Sequence, residues 1–466
     1  MTPFSLRRIS WRVPLLIGSE SVLIIGAVIL ASWLRLGGEA WPMMVAPDGI
    51  LKAVLIALVS QVCLYYADLY DLRVVADRRE LIVRALQSLG VTSFILAALY
   101  FWFPSLIIGR GVFLLAALLV VALVVGWRAA FAWLSVHARP RERLLLVGVS
   151  AASIELAREL HDRREELGVE IVGFVEPEPG ANARSDLNPV VVGDVASIPA
   201  IVRTRAVDRV VVSLSDSRGK LPMQQLLEMK LSDGVRFDHL ASVYEEYTGK
   251  IAVENLRPSW LIFSEGFRKT PWLMAAKRTV DVSFATVGLV LALPIMILMA
   301  AAIRITSSGP VFYHQQRVGQ HGRLFMVHKF RSMLANAEAA TGAVWAKAGA
   351  DPRVTPVGRV LRRTRLDELP QLWNVLAGDM SFVGPRPERP EFVADLTRQI
   401  PFYGQRHVVK PGVTGWAQVR YTYGATVEDA MQKLQYDLFY IKNLSFALDM
   451  FIVFETVKTV LVRRGS

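Results

Sequence analysis

Residues Arg362–Pro390 read RRTRLDELPQLWNVLAGDMSFVGPRPERP. Acid and base are interleaved in this stretch, and turn formers stud it. Arg362, Arg363, Arg365 and Arg386 flank the adjacent carboxylates Asp367 and Glu368. Leu366, Leu369, Leu372 and Leu376 recur at helical spacing, which predicts a short amphipathic helix beginning near the carboxylate pair. The pair would then occupy its first turn, where the positive end of the helix dipole favours anions. Ala377-Gly378-Asp379 breaks that helix, and Gly384-Pro385-Arg386-Pro387 is a rigid turn. An acidic dipeptide among arginines is ordinarily a solvated ion-pair face, so its meaning depends on what the rest of the chain demands.

Outward from this stretch, the 466-residue chain is 53% hydrophobic, with a mean hydropathy of +0.36 and a net charge of +12. That is too apolar for an ordinary soluble protein. The basic balance combined with the apolar content favours lipid and phosphate as partners over nucleic acid. Cys63 is the single cysteine, which excludes an intrachain disulfide and a cysteine zinc site.

Upstream, four apolar segments run near Pro14–Leu36, Gly49–Leu69, Ile82–Phe103 and Gly111–Leu134. Each has the roughly 20 residues needed to cross hydrocarbon as helix. The first follows Arg7, Arg8 and Arg12 and reads as a retained anchor, being too long for a signal-peptide core. Arginines gather at the N-terminus, at Arg73–Arg84 and at Arg139–Arg143, so both ends of this four-helix transmembrane domain (residues 1–138) are expected in the cytoplasm. Glu20 is costly in lipid and should face another helix.

Residues 139–243 alternate strand and helix, with strands expected at Leu144–Gly148, Val169–Val175, Val190–Gly193, Asp208–Leu214 and Val235–Leu240. The pattern predicts a Rossmann-like α/β domain with a parallel sheet. Its first turn, Gly148-Val149-Ser150-Ala151-Ala152-Ser153, lacks the second and third glycines of a dinucleotide fingerprint, which favours a structural or regulatory domain without cofactor.

A connector is expected over 244–275. A fifth apolar segment, Val280–Ile305, carries Asp281 near its start and Pro294 in its middle, with basic residues on both flanks. Proline removes a helical hydrogen bond and kinks the chain, so the segment is read as a re-entrant helix that returns to the cytoplasmic face. It opens a membrane-associated α/β catalytic domain over residues 276–466. There, FMVHKFRSM alternates as a strand with Lys329 and Arg331 on one face, Ala335–Ala350 is a loop or weak helix, and Val408–Val419 is a shaped loop. Tyr436–Arg464 is an amphipathic element suited to a membrane surface, with core packing as the rival reading.

Lys329, Arg331, Arg362, Arg365 and Arg386 are cations of the kind that bind phosphate. A carboxylate beside bound phosphate needs a divalent cation between them, so Asp367 or Glu368 implies Mg2+. A carboxylate can also attack phosphorus itself. The residues thus point to metal-assisted phosphoryl transfer at a membrane surface, without naming the group transferred.

From Lys277 onward the chain resembles the bacterial sugar transferases of the monotopic phosphoglycosyl transferase superfamily. The resemblance rests on KRTVD with its mid-helix proline, HKFRSM, LRRTRLDELPQLWNVLAGDMSFVGPRP, KPGVTGWAQV and YDLFYIKNLSFALDMFIV. With its N-terminal spans and Rossmann-like insert, the whole chain is similar to the larger polyprenyl-phosphate hexose-1-phosphate transferases, which start exopolysaccharide, capsule or O-antigen repeat units. The resemblance implies Asp367 as the nucleophile, Glu368 as its partner, and Mg2+ held by the two. It implies Lys329, Arg331, Arg362 and Arg386 as basic positions around the active site, Asp449 as a late acidic position, and Pro294 and Asp281 as marks of the re-entrant helix. Arg331 is alternatively a brace for Asp449. The implied partners are a UDP-sugar, undecaprenyl phosphate, membrane lipid and a second copy in a homodimer, at the bacterial inner membrane. In one departure, Val419 is followed by Arg420-Tyr421-Thr422 where many members have Asn-Gly-Arg, so Arg420 takes that arginine's place and the sugar stays unassigned. A membrane-anchored, non-catalytic regulator of polysaccharide export is the rival reading, and the intact Asp367-Glu368 pair argues against it.

Overall fold

The computed structural model describes residues 12–45, 47–67, 69–70, 78–137, 142–176, 190–213, 223–232, 234–253, 266–267, 269–334, 337, 353–421, 424 and 426–462. The expected loop at 335–350 lies outside these apart from residue 337, as do Arg7, Arg8, Arg139 and Arg141. The chain forms two compact units, residues 5–240 and residues 241–466.

The first unit opens with four long helices, α1 (Arg12–Leu36), α2 (Pro47–Tyr66), α3 (Arg78–Trp102) and α4 (Arg110–His137). Stretches long and apolar enough to cross a membrane are Pro14–Pro42, which runs past the end of α1, Asp48–Tyr66, Leu81–Trp102 and Gly111–Phe131. They share a core in which Ala27, Ala31, Ala53, Ala57, Ala85 and Ala116 are buried. Small side chains let helices approach closely where lipid supplies no hydrophobic drive. Leu15, Val22, Phe94, Leu114 and Leu118 remain exposed on the outside, as lipid requires. Glu20 faces another helix as expected: Arg128 of α4 meets it at 2.6 Å, and the Tyr70 hydroxyl donates to it at 2.6 Å. A buried charge costs several kcal/mol unless it is paired, and the sequence reading had not found this partner.

The same unit contains a parallel five-stranded sheet in the order β3-β2-β1-β4-β5. Its strands are β1 (Glu142–Val147), β2 (Val169–Glu176), β3 (Val191–Asp194), β4 (Arg209–Val212) and β5 (Arg236–His239). Leu144–Val147, Val175 and Val210 are fully buried, so the continuous apolar runs mark strands covered on both faces. After β1 the chain turns through Gly148 at φ 95° into α5 (Ala151–Asp162), capped by Ser150.

The second unit begins at α6 (Leu240–Thr248) and includes α7 (Pro271–Thr306). Part of the expected connector is core here: Ile251 and Val253 are buried, and the Trp416 indole donates to Gly249 O at 2.9 Å. The hairpin β6 (Phe312–Val318) and β7 (Leu324–Phe330) follows, then α8 (Pro356–Thr364), a 3-10 turn at Leu366–Glu368 and α9 (Gln371–Ala377). The short strands β8 (Ser381–Val383) and β9 (Gly412–Thr414) pair in parallel, with α10 (Pro390–Gln399) between them in sequence. The chain then runs through α11 (Val427–Asn443) and α12 (Phe446–Val462).

Leu434–Ile441, Leu448 and Ile452 are buried, so the rival reading of core packing holds for α11 and the inner side of α12. The helix α7 contains Pro294 as one continuous element. At about 1.5 Å per residue its 36 residues would span about 54 Å if straight. Both of its ends are nevertheless fastened to the second unit. Near the start, Asp281 accepts from Ser381 Oγ at 2.8 Å and Phe382 N at 2.9 Å. Near the end, Ile303 packs with Phe330 and Leu361. Between them Val287, Val290, Leu291, Leu293, Ile297 and Leu298 stand exposed.

Candidate active site

The carboxylate pair sits in a different local structure from the one its leucine spacing suggests. Helix α8 ends at Arg365, which adopts a left-handed φ of 59°, and Asp367-Glu368 falls on the 3-10 turn that follows. Pro370 then leads into α9. The pair is therefore held between two helices and not in the first turn of one. A non-glycine residue in this backbone region costs of order 1–3 kcal/mol, and such strain clusters at functional sites.

Three other segments bring cations to the turn. Lys329 near the end of β7 donates to Glu368 Oε1 at 3.0 Å, and Arg386 donates to the same oxygen at 2.8 Å. Arg386 is placed by a close backbone approach. A Cβ on Gly384 would lie 2.4 Å from Lys410 O, and one on Gly412 would lie 2.1 Å from Gly384 N. The glycines of VGPRP and KPGVTG thus let β8 and β9 meet. Behind Arg386, buried Arg406 donates to its carbonyl at 3.1 Å and to Asp437 at 2.8 Å. The side chain of Arg362, on the last turn of α8, makes no hydrogen bond or ion pair among the described residues.

These side chains line a cavity of about 490 Å³, within the usual range for small-molecule sites. Asp367, Lys329, Arg331, Arg362 and Arg386 border it, with Arg317, Arg353, Arg389, Arg406 and Lys433 adding positive charge. Asp367 Oδ1 is buried without a hydrogen-bond partner. Burial and the Glu368 charge push the Asp367 carboxyl up, against Lys329, Arg365 and Arg386. Burial also acts to raise Glu368, but Arg386 and Lys329 outweigh it and hold that carboxylate well below its ordinary range. One acid is thus pinned as an anion by two cations. Its neighbour is left uncommitted and more basic.

Other expected positions lie elsewhere. Strand β7 ends before Arg331, whose guanidinium donates to Ser308 O at 2.8 Å and Ser307 O at 3.0 Å at the end of α7. Arg331 still borders the cavity but does not brace Asp449. Asp449 pairs with Lys277 at 2.6 Å and accepts from Tyr440 Oη at 2.8 Å. Lys277 and Tyr440 both donate to Val383 O. Asp449 and Asp281 therefore fasten the start of α7 to β8 and α12, away from the cavity lining. Arg420 lies over the Trp416 ring at 4.6 Å. Arg317, Arg406, Tyr403 and Asp437 were missed in sequence, where no local pattern links them.

Residues 272–463 match the bacterial sugar transferase family, and residues 66–231 match a family described as CoA-binding domain. The chain belongs to the bacterial sugar transferase family, in the group of undecaprenyl-phosphate hexose-1-phosphate transferases. It is 33% identical over 335 residues to a UDP-glucose:undecaprenyl-phosphate glucose-1-phosphate transferase of Xanthomonas campestris pv. campestris, covering 70% of this chain and 68% of that one. Against the protein of the same name from Escherichia coli (strain K12) it is 34% identical over 352 residues, covering 73% and 72%. A UDP-N-acetylgalactosamine-undecaprenyl-phosphate N-acetylgalactosaminephosphotransferase of Aeromonas hydrophila is 43% identical over 228 residues, 49% of this chain and about half (53%) of that relative's length.

Proposed function

We propose that the protein transfers hexose 1-phosphate from a UDP-sugar to undecaprenyl phosphate through a covalent aspartyl intermediate, starting a polysaccharide repeat unit. The observation that carries this reading is Asp367: a carboxylate with one buried, unpartnered oxygen, beside a cation-pinned Glu368, on a basic cavity. An Asp367 oxygen attacks the phosphorus that bears the sugar. The bond from that phosphorus to the UMP oxygen breaks, and UMP leaves with the electron pair. An oxygen of the lipid phosphate then attacks the same phosphorus and the Asp367–phosphorus bond breaks, restoring the carboxylate and giving undecaprenyl diphosphate sugar. Lys329, Arg362 and Arg386 would grip phosphate oxygens, Arg by its two-pronged fork.

The donor set fits a hard divalent ion. Asp367 offers an oxygen with no protein partner, and Glu368 spends Oε1 on both cations, leaving Oε2. Among the described residues no three acids or histidines gather into a closed metal cage, which suits Mg2+, an ion commonly held by one or two carboxylates plus substrate phosphates. Asp367 and Glu368 would hold it, and it would supply charge neutralisation at the diphosphate.

The exposed apolar middle of α7, with both ends fastened to one unit, supports a re-entrant helix and a site at the cytoplasmic face of the inner membrane. The reading is tested with purified protein, Mg2+, a panel of UDP-sugars and undecaprenyl phosphate. UMP release with at least one sugar is expected, and its absence with every sugar defeats the proposal.

A further inference from the structure

The outer face of the β6–β7 hairpin carries a group that sugar-phosphate transfer does not use. His314 and His328 are directly opposed in the antiparallel register. Their Nδ1 atoms are 2.7 Å apart, and the rings meet edge to face with centroids 4.8 Å apart. Directly opposed residues hold their Cβ atoms about 4.5–5.5 Å apart, which lets both rings reach one point above the sheet. We propose that His314 and His328 form a binding site for a divalent transition metal of the zinc class, held through the two imidazoles.

The chemistry of the pair supports this. Burial and the neighbouring His314 lower the pKa of His328, while the Asp379 charge acts in the opposite sense. The His328 ring is thereby favoured in its uncharged form, the form that ligates metal, and Asp379 adds negative charge nearby. Zinc–nitrogen bonds of about 2.0–2.1 Å at the tetrahedral angle place two ligating nitrogens about 3.3 Å apart. The rings need open only slightly, and the side chain of His314 is exposed. The backbone beneath is already fixed. His328 N donates to Asn374 Oδ1 at 3.1 Å, and Asn374 Nδ2 donates to Met326 O at 2.7 Å. Imidazole favours zinc, copper and nickel, whereas Mg2+ prefers oxygen ligands. The site should therefore be separate from the Mg2+ chemistry at Asp367. No third His, Cys, Asp or Glu completes the cluster among the described residues, so water would fill the remaining positions.

The test uses tag-free, full-length protein in detergent, stripped with EDTA. Zn2+ is titrated in competition with a chromogenic chelator, and Co2+ by its visible absorption. One equivalent is expected to bind tightly, at least tenfold more weakly in either His314→Gln or His328→Gln, and to survive a large excess of Mg2+. Gel filtration of His314→Gln should match the parent, since that side chain is exposed. Three results would overturn the proposal: no tight equivalent in the parent, retention of it by the double variant, or its displacement by Mg2+.

Discussion

Two places in this chain put short polar side chains at a turn leading into a helix, and they treat those side chains in opposite ways. After β1, Ser150 and Ser153 cap α5 reciprocally, and Ser150 Oγ lies 2.7 Å from Ser213 Oγ. Ser153 Oγ also donates to Gly148 O at 3.1 Å. The hydroxyls where a dinucleotide fold would receive phosphate are engaged with one another. On the 3-10 turn before α9, Glu368 is likewise engaged, but among the described residues Asp367 Oδ1, and the Arg362 side chain on the preceding helix, are not. An unmet buried polar group costs about 1–3 kcal/mol, so its retention is informative. Within one chain, the turn with an unmet group is the better candidate for chemistry.

The comparison breaks most easily at Asp367. Asp367→Asn should lower UMP release by at least about 10³-fold, the scale of losing a covalent nucleophile, and should abolish labelling of the protein by radiolabelled UDP-sugar. A variant that still takes up label would move the nucleophile elsewhere. Next, Glu368→Gln removes the counter-charge of Lys329 and Arg386. A loss of about 10²-fold in kcat is expected from disturbing charge stabilisation at the reacting phosphate. Arg362→Ala should cost about tenfold, mainly in KM for the UDP-sugar, because it deletes a phosphate grip without touching the acids.

The other side of the comparison predicts the reverse pattern. Ser150→Ala should cost about 1 kcal/mol of stability, the usual loss of a helix cap, and leave the transfer rate per folded molecule unchanged. A fall in rate with no fall in melting temperature would show that the turn serves a ligand after all. A pH-dependent effect is expected at His407, whose pKa burial and the adjacent Arg406 push down to about 4. The unfolded chain takes up this proton near pH 6.5 and the folded one only near 4. Stability should therefore drop by at most about 2 kcal/mol as pH falls through that window, after allowing for solvent screening. In His407→Gln that part of the pH dependence should vanish from thermal melts.

Much of the architecture was legible because it rests on local pattern. The runs Leu144–Val147 and Val169–Val175 could only be buried parallel strands once helices alternated with them, and the apolar helices declared themselves by length. The candidate site was legible in part because Asp367, Glu368, Arg362 and Arg386 lie within one stretch. Lys329 followed from strand alternation; β7 stops one residue before Arg331, which still borders the cavity but spends its guanidinium on Ser307 and Ser308. The leucine spacing around Asp367 suggested one helix, but Pro370 and the left-handed Arg365 divide it. What stayed hidden depends on partners far apart in sequence. Arg406 and Asp437 meet only when the fold is complete, as do Glu20 and Arg128. Segments such as Tyr436–Ile441 mix aromatic and aliphatic residues in a way that suits a core or an interface equally, and only packing decides between them.

The bare apolar middle of α7 has a kinetic consequence. On the proposed function, an enzyme held in a membrane would meet its acceptor by lateral diffusion, so the quantity that would set its rate is the number of lipid phosphates per unit area. Diluting the acceptor with inert phospholipid at constant bulk concentration should slow turnover, whereas diluting the whole suspension with buffer should leave the lipid-dependent step unchanged.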